Sequence, residues 1–449
     1  HKNIKNMKNI KNMKKISVIG LGKLGSCTAS CLSYSGFNTI GVDINQQFVD
    51  SINNGKAPVL EPRLQEMISK SGIRLEATSN YARAIEETDV TLIIVPTPSK
   101  EDGNFSDKIM RDALRSLSNN LKNSDKAYHL FVITSTVSPK TCETSLIPLV
   151  EEVSGRVLNQ GFGMCYNPEF IALGNVVNDT LQPDLVLIGE SDKKAGDILE
   201  KVYQKMTEND PAISRMSLVS AEITKISLNS FVTMKISFAN TLTNICEQIK
   251  GADVDDITSA LGNDKRISPY YIKGGISFGG PCFPRDNRAF SKFASEYGVK
   301  TPLANSTDQI NKHQIQHLLE TVKKYVKDND TVGILGLSYK PNTSVIEESP
   351  AIYLINELLD NNINVSVYDS LANDTTFQEL GSKVSYFNTM QECAEKSNII
   401  VITTIEPEFK EINLSENNDI TIIDCWRQLS NTKLPSNIKY HAVGLFNDN

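Results

Sequence analysis

The sequence predicts an α/β protein in which two doubly wound parallel-sheet domains are joined by a long central helix and a helical middle domain. Three observations predict this class. A glycine-rich turn follows a short β-branched run near residue 20, one helical pattern continues from Ala221 to Lys250, and strands alternate with helices again from residue 331. At 449 residues the chain is too long for one hydrophobic core, so several domains are expected.

We predict four segments along the chain. Residues 1–14 are expected to be a disordered leader or a cloning remnant. Residues 15–210 are expected to form a dinucleotide-binding domain, and residues 211–325 a helical central domain with a cysteine loop and a dimer interface. Residues 326–449 are expected to form a second domain of the nucleotide-binding type.

Composition excludes several classes of protein. The net charge is −7, and the six lysines of residues 1–15 leave the rest of the chain more acidic still, which argues against nucleic-acid binding. No apolar run is long enough for a membrane span, and we expect no signal peptide, because the lysine-rich start leads into a strand. The eight cysteines are scattered without a C-x-x-C pair. We therefore predict no metal site, no disulfide and a cytoplasmic location.

The first strand leads into a Rossmann fingerprint. Gly20, Gly22 and Gly25 follow the β-branched run, a helical stretch comes next, and a second strand ends in Asp43. The first glycine permits the tight turn, the second lets backbone approach a pyrophosphate, and the third permits close helix–strand packing. The anion would lie at the helix N-terminus. Because no arginine follows Asp43, the pattern predicts NAD rather than NADP.

Three further strands run into polar turns. A strand at 90–95 precedes Pro96 and Thr97, a strand at 129–134 precedes Ser135 and Thr136, and a strand at about 162–166 precedes Glu169. Ligands of open α/β sheets bind beyond the carboxyl ends of the strands. These turns are therefore candidates for the same site as the glycine turn.

The long helical pattern ends at Gly251, a suitable C-cap. Lys225 and Asn229 lie four residues apart and so on one helix face. Such a pair is also common on solvent-exposed helix faces, where it has no functional role. A helix this long is expected to connect two domains, and its apolar positions predict a subunit interface in a homodimer or a higher homo-oligomer.

The cysteine loop covers residues 274–286, with two glycine pairs and two prolines around Cys282. No periodicity persists there, so we predict a loop. Arg285 favours the reactive thiolate, and Asp286 is placed to orient a water or a base. A glycine-rich surface loop with a buried, inert cysteine is the alternative.

With these motifs in place, the chain resembles the UDP-glucose/GDP-mannose dehydrogenase family from about residue 15 to 430. The resemblance rests on GLGKLGS, VPTP, STV, NPEF, the Lys225–Asn229 helix, GGPCFPRD and GLSYKPNT, all in the family's order. It implies a four-electron oxidation of a sugar C6 alcohol to a carboxylate with two NAD⁺, through a cysteine thiohemiacetal and a thioester.

Roles follow by position. The resemblance implies that Cys282 is the nucleophile, that Lys225 and Asn229 stabilise the developing oxyanion, and that Asp286 lies near the hydrolytic water. Cofactor contacts fall on Gly20, Gly22, Lys23, Leu24, Gly25, Asp43, Pro96, Thr97, Ser135, Thr136 and Arg285. Substrate contacts fall on Glu169, Phe170, Lys225, Asn229, Arg266, Tyr271, Phe278, Gly279, Lys340 and Arg427. The resemblance also implies that Glu169 serves thioester hydrolysis and that Thr136 contacts water and nicotinamide. It implies that Arg266 reaches a neighbouring subunit's substrate, and that Lys340 and Arg427 supply positive charge for the diphosphate.

Two positions depart from the family pattern: Glu347 stands where an arginine is usual, and Leu173 where many members have a second glutamate. The expected substrate is a nucleotide-diphosphate hexose, UDP-glucose first, then a UDP-N-acetylhexosamine, then GDP-mannose. A two-electron β-hydroxyacid dehydrogenase is the alternative enzyme, and a catalytically silent NAD-binding regulatory protein is the alternative from another class.

Overall fold

A computed structural model describes residues 15–414 and 419–447. The predicted leader lies outside the described residues. The chain divides into two compact units, the first ending at Lys225 and the second beginning at Ile226. The two units are described separately below.

The first unit is built on an eight-stranded sheet in the order β3-β2-β1-β4-β5-β6-β7-β8. All neighbouring strands pair in parallel except β6 and β7, which are antiparallel. The strands are β1 Lys15–Ile19, β2 Asn38–Val42, β3 Leu75–Thr78, β4 Val90–Ile93, β5 His129–Ile133, β6 Phe162–Tyr166, β7 Leu185–Glu190 and β8 Ala212–Ser217. The chain order reverses between β1 and β4, so their carboxyl ends form a topological switch point.

Helices cover both faces of this sheet, because its strands are apolar on both sides and need two layers to bury them. They are α1 Lys23–Tyr34, α2 Gln46–Asn53, α3 Leu64–Ser71, α4 Tyr81–Glu87, α5 Lys108–Lys122, α6 Ile147–Ser154, α7 Val176–Leu181 and α8 Lys193–Met206, with a π-helical turn at Cys142–Leu146 and a 3₁₀ turn at Gly72–Arg74. Because β8 pairs with β7, the first sheet continues past residue 210.

The long helix is α9, Leu218–Cys246, and the division between the units falls within it. Its 29 residues extend about 44 Å. The helix starts three residues before the predicted Ala221 and ends four before Lys250. The early end has a local cause, because Gln248 N and Ile249 N donate to carbonyls only three residues back. The chain thus tightens before the left-handed Gly251.

Three helices follow in the second unit, α10 Val254–Gly262, α11 Phe283–Glu296 and α12 Pro302–Lys323, and they form the helical middle region with α9. A six-stranded parallel sheet then has the order β11-β10-β9-β12-β13-β14. Its strands are β9 Thr331–Leu335, β10 Asn364–Tyr368, β11 Ser385–Tyr386, β12 Ile399–Ile402, β13 Thr421–Asp424 and β14 Lys439–Ala442. Its helices are α13 Pro350–Asp360, α14 Asn373–Leu380 and α15 Met390–Glu395, with 3₁₀ turns at Gly381–Lys383 and Pro407–Glu411. The predicted fold class is confirmed.

Candidate active site

The glycine turn after β1 is shaped for a close ligand. Gly20 has φ 95°, and a Cβ there would lie 2.1 Å from the Ile94 carbonyl oxygen. A Cβ on Gly25 would lie 1.8 Å from the Gly20 carbonyl oxygen, so helix and turn touch backbone to backbone. A Cβ on Gly22 would meet nothing within 4 Å. The first and third glycines therefore serve packing, and the second leaves open space beside the turn.

The start of α1 is open to an anion. Its N-cap residue Gly22 offers no side-chain hydrogen bond, and no acid lies in the first turn. The backbone N–H groups there and the positive end of the helix dipole remain available to a pyrophosphate. These residues fit a bound dinucleotide.

Asp43 lies directly after β2 and is fixed by backbone. Its Oδ2 accepts from Leu21 N at 2.6 Å, and its Oδ1 accepts from Asn45 N at 2.7 Å. A carboxylate oxygen can accept more than one hydrogen bond, so capacity remains for ribose hydroxyls. The exposed side chain that follows is Ile44, which brings no charge for a 2′-phosphate.

The polar turns after β4 and β5 are tied together. Ser135 Oγ accepts from Val95 N at 3.0 Å and lies 2.6 Å from Val95 O. Thr97 Oγ1 donates to Thr136 O at 2.6 Å. These bonds hold the Pro96–Thr97 and Ser135–Thr136 turns at adjacent strand ends, where the sequence predicted a shared site.

A buried glutamate that the sequence analysis missed attaches the segment after the Ser135–Thr136 turn to the long helix. Glu222 has no exposed surface, and its carboxylate accepts from Lys140 N at 2.6 Å and Cys142 N at 2.9 Å. Burial raises its pKa above the usual value. The only available signal was an acid within an apolar helical pattern, three residues before Lys225.

The NPEF turn after β6 contacts the ammonium group of Lys225. Lys225 Nζ donates to the backbone oxygen of Glu169 at 2.5 Å and lies 4.7 Å from the centre of the Phe170 ring. Lys225 is itself buried. Two of the predicted catalytic residues in the first unit, Lys225 and Glu169, are thus brought together, although the carboxyl of Glu169 is not the group that Lys225 binds.

The Glu169 carboxyl is enclosed. Its Oε1 lies 3.0 Å from Thr28 Oγ1, and its Oε2 is buried with no hydrogen-bond partner among the described residues. Burial raises the pKa of Glu169 to about 7, against smaller opposing effects from Thr28 and Lys225. A carboxyl with this pKa exchanges protons near neutral pH, as a general base or acid must.

Glu61 holds the far end of the same turn. This buried carboxylate accepts from Gly174 N at 2.7 Å and from Val176 N at 3.3 Å. Leu173, where many family members have glutamate, packs partly buried against the first hydrophobic core. The NPEF turn is therefore anchored without a carboxylate at position 173. Nothing in the sequence pattern singled out Glu61.

In the second unit, Cys282 lies at the N-cap of α11 and is exposed, whereas the other seven cysteines are buried. Asp286, one turn into α11, has no exposed surface. Its Oδ2 accepts from Asn229 Nδ2 at 2.6 Å, and its Oδ1 accepts from Arg285 Nε at 3.0 Å. The predicted group Cys282, Arg285, Asp286 and Asn229 is brought together, and the alternative of a buried cysteine is wrong, because Cys282 is exposed.

The cysteine loop is irregular, but its backbone groups are paired. Asn240 bonds both Gly275 N and the Ile276 carbonyl, at 2.9 and 3.1 Å. Asn311 bonds both Phe278 N and the Phe278 carbonyl, at 2.8 and 2.9 Å. Amide side chains thus replace the hydrogen-bond ladder that a loop lacks.

The residue after Asp286 fixes α11 from its buried side. Asn287 has no exposed surface and accepts from Ser230 Oγ at 2.7 Å. Its Nδ2 donates to the Ala304 carbonyl at 2.9 Å and to Asp308 Oδ1 at 2.8 Å. Ser230 is on α9, and Ala304 and Asp308 are on α12, so one amide joins three helices behind the cysteine.

The position of Arg427 differs from the one that the resemblance predicted. The resemblance assigned it to the substrate diphosphate, but its side chain is buried and engaged. Nε and Nη2 donate to the two oxygens of Asp255, both at 2.8 Å, Nη2 also donates to Gly274 O at 2.8 Å, and Nη1 donates to Val443 O at 2.6 Å. Four donated hydrogen bonds make Arg427 an anchor of the cysteine loop and do not leave it open to a diphosphate.

Among the other predicted substrate residues of this unit, Arg266 and Tyr271 are exposed, whereas Phe278 and Gly279 are buried. Arg266 pairs with Asp264 at 2.7 Å, and 87% of its side-chain surface is exposed. Tyr271 is half exposed and meets Phe283 edge to face, as Phe278 does. A Cβ on Gly279 would lie 2.2 Å from the Glu348 carbonyl oxygen. Lys340 Nζ lies 5.7 Å from the Tyr339 ring centre.

Glu347, the second departure, contributes to the cysteine loop through its backbone. Its carbonyl accepts from Gly280 N at 2.9 Å, a contact that any residue provides. Its side chain is exposed. Among residues 15–414 and 419–447, no helix is long and apolar enough to cross a membrane.

Comparison with known proteins gives consistent matches along the chain. Profiles of the UDP-glucose/GDP-mannose dehydrogenase family match as NAD binding domain (residues 14–207), central domain (219–313) and UDP binding domain (333–431). A GDP-mannose 6-dehydrogenase of Pseudomonas savastanoi pv. phaseolicola is 37% identical over 356 residues, covering 78% of this chain and 80% of the relative.

Two further relatives carry a different sugar nucleotide in their names. A UDP-glucose 6-dehydrogenase of Haloferax volcanii is 33% identical over 399 residues, covering 88% of this chain and 92% of the relative. A UDP-glucose dehydrogenase structure from Pyrobaculum islandicum has a TM-score of 0.87 at 28% identity, covering 97% of this chain and 98% of that one.

Proposed function

The chain belongs to the UDP-glucose/GDP-mannose dehydrogenase family, and on that premise we propose that it oxidises the C6 hydroxyl of UDP-glucose to the carboxylate with two NAD⁺. As a family member it is an NAD-dependent oxidoreductase acting on a nucleotide sugar. The identity of the sugar nucleotide is the part that we propose.

The observation that carries the proposed four-electron reaction is the position of Cys282. It is the exposed cysteine, it begins a helix, and it lies one turn from the Asn229–Asp286 pair. A helix N-terminus stabilises negative charge and therefore favours a thiolate. A two-electron β-hydroxyacid dehydrogenase needs no such thiol, and a silent NAD-binding protein needs neither the thiol nor the pair.

The proposed chemistry divides between cofactor and protein. NAD⁺ held at the Gly20–Gly25 turn and Asp43 would supply the hydride acceptor in each of two rounds. In the first round the alcohol loses a hydride and a proton and becomes an aldehyde, and Cys282 sulfur adds to the aldehyde carbon as a thiohemiacetal. In the second round that adduct loses a hydride and a proton and becomes a thioester. Water then cleaves the carbon–sulfur bond, giving the carboxylate and restoring Cys282.

The resemblance assigns the remaining roles. The ammonium of Lys225 and the amide of Asn229 would stabilise oxygen as it becomes negative. Asp286 is hydrogen-bonded to Asn229 and Arg285 and would lie near the water. Glu169, with its pKa near 7, would take a proton from the attacking water.

GDP-mannose is the second candidate substrate, because the 37% identical relative is named for it. UDP-glucose is placed first, because a structure named for it shares the fold at a TM-score of 0.87 over 97% of this chain. UDP-N-acetylhexosamines come next.

Assembly is part of the proposal. Four large apolar side chains on α9 and the turn after it are exposed: Phe231, Phe238, Ile245 and Ile249. The first three recur every seven residues and so lie on one helix face. A second copy of this chain would cover them, as the sequence predicted for a homodimer. The cytoplasmic location stays a prediction.

The test is the number of NADH formed per sugar consumed, with UDP-glucose, UDP-GlcNAc, UDP-GalNAc, UDP-ManNAc and GDP-mannose as substrates. Two NADH per UDP-glucose, lost in Cys282→Ala, is the expected result. Two NADH from another sugar would replace UDP-glucose by that sugar. One NADH per sugar would contradict the four-electron reaction, and no NADH from any of the five would reject the proposal.

A further inference from the structure

The Glu169 carboxyl meets a single side-chain hydroxyl in the first unit. Thr28 Oγ1 lies 3.0 Å from Glu169 Oε1, and the second carboxyl oxygen has no partner among the described residues. Thr28 is on α1, three residues after the last glycine of the fingerprint, and only 2% of it is exposed. A buried carboxyl with one hydrogen bond depends strongly on that bond.

The Thr28 hydroxyl has one proton to donate and two acceptor oxygens within hydrogen-bond distance. Its Oγ1 also lies 2.9 Å from the Leu24 carbonyl oxygen, one turn earlier in α1. When Glu169 is ionised, the hydroxyl can donate to Oε1. When Glu169 is protonated, the carboxyl can donate to Oγ1 while the hydroxyl donates to Leu24 O. The geometry serves both protonation states by rotation about a single C–O bond.

The other titratable groups around Glu169 do not compete for its proton. Lys225, from α9, binds the backbone oxygen of Glu169. Tyr203, from α8, donates to Asn167 Oδ1 at 2.6 Å, and its pKa is raised by burial. Cys27 and Cys31, from α1, have pKa values raised by burial, so both thiols are neutral at pH 7. Glu169 is therefore the group in this cluster that changes charge near neutrality.

We propose that Thr28 is a positioning residue for Glu169: its hydroxyl donates to the ionised carboxylate, accepts from the protonated carboxyl, and so lets Glu169 take up and release the hydrolytic proton. This inference rests on the proposed function, in which Glu169 serves thioester hydrolysis. As water attacks the thioester carbon, Glu169 takes the water's proton, and the carbon–sulfur bond breaks to leave Cys282 as thiolate. The proton then leaves Glu169 to solvent, and Thr28 returns to donating.

Thr28→Val tests this with little change in shape, because valine replaces the hydroxyl by a methyl group. The ionised carboxylate loses a stronger hydrogen bond than the protonated carboxyl does. The midpoint of Glu169 titration is therefore expected to rise by about half to one pH unit. Thr28→Ser keeps a hydroxyl and should restore the midpoint.

The control is Ser30→Ala on the same helix. Ser30 is buried and donates to the Ser26 carbonyl one turn back at 2.7 Å, so this variant removes an equivalent intrahelical bond away from Glu169. Thermal unfolding of each variant checks that the fold is kept.

The first readout is the infrared carboxyl band of Glu169 as a function of pH in the substrate-free protein, identified by subtracting Glu169→Gln. The second is the pH profile of kcat, whose acid limb should move to higher pH in Thr28→Val, because a base must be ionised to act. An unmoved carboxyl midpoint in Thr28→Val, or an equal shift in Ser30→Ala, overturns the inference. A moved midpoint in a protein that oxidises none of the five sugars keeps the Thr28 assignment and rejects the proposed function.

Discussion

Asn229 donates a 2.6 Å hydrogen bond from Nδ2 to Oδ2 of Asp286, a carboxylate with no exposed surface. The second oxygen of Asp286 accepts from Arg285 Nε at 3.0 Å. A buried carboxyl group needs such partners, because the loss of one leaves a polar atom unsatisfied. The pair thus fixes the orientation of Asp286 beside the cysteine loop.

Asn229→Asp should destabilise the protein by about 1–3 kcal/mol at pH 7 and abolish most activity, because two carboxylates would then meet at hydrogen-bond distance. Urea unfolding at pH 7 measures the loss of stability, and NADH formation measures the loss of activity. Asn244→Asp on the same helix is the control, since its partner is the neutral Gln314. An equal deficit in both variants would contradict the special role of Asn229.

Native alkylation should modify one cysteine. Cys282 is exposed and the other seven are buried, so iodoacetamide is expected to add a single group to the folded protein, located by mass spectrometry at Cys282. Cys282→Ala should remove that adduct and lower carboxylate formation at least about a thousandfold. Cys393→Ala, in the core of the second sheet, should still be alkylated once and retain turnover. Full activity of Cys282→Ala would refute the nucleophile assignment.

Cofactor choice should respond to Asp43. Replacement by serine, together with Ile44→Arg, removes the ribose acceptor and adds charge for a 2′-phosphate. The kcat/KM for NAD⁺ is expected to fall about 10–100-fold and that for NADP⁺ to rise. Ile44→Arg alone should leave NAD⁺ use nearly intact. A double variant with unchanged preference would mean that Asp43 does not face the ribose.

The apolar stripe on α9 should control assembly. Phe238 is 54% exposed, and Phe238→Glu should convert a dimer into a monomer at micromolar concentration, because a charge cannot be buried in an apolar interface without a partner. Light scattering after size-exclusion chromatography measures the mass. Ile73→Glu, at an isolated and almost fully exposed isoleucine of the first unit, should not change it. An unmodified protein that is already monomeric would refute the dimer.

His317 should contribute stability that depends on pH. Its Nε2 lies 2.5 Å from Glu247 Oε2, and this bond raises the pKa of His317 above the usual value. The contribution is fully present below pH 6.5 and is lost as pH rises through the raised pKa. The free energy of unfolding of His317→Asn should therefore be lower than that of the unmodified protein by about 1 kcal/mol at pH 6. The difference should be smaller at pH 9. A gap that does not narrow at pH 9 would contradict this.

Local sequence patterns were sufficient to predict the fold class, the glycine turn and the polar turns at the strand ends. Each depends on a short run of residues, as in the Gly20–Gly25 turn before α1. The end of α9 was misplaced by four residues, because Gly251 is a good helix stop but the chain had already tightened into three-residue turns. The sequence shows which residue can end a helix, and hydrogen bonding decides where regular geometry stops.

Support residues were the part that sequence could not predict. Thr28, Glu61, Glu222 and Asn287 are ordinary residue types in ordinary positions, and their importance comes from partners far along the chain, as with Glu61 and Gly174. Arg427 shows the converse. Its match to a family position predicted a ligand contact, whereas the structure gives its donors to Asp255 and backbone carbonyls.

The Arg427 anchor joins parts of the chain that are synthesised far apart in time, because Arg427 and Gly274 are 153 residues apart. The Gly274 carbonyl and the indole that packs against Gly275 both depend on the Trp426–Arg427 segment. A ribosome that has finished the cysteine loop must still translate the whole second sheet up to β13 before that segment emerges. Until then the Gly274–Gly275 end of the cysteine loop lacks these two contacts, and Asn240 and Asn311 hold the loop without them.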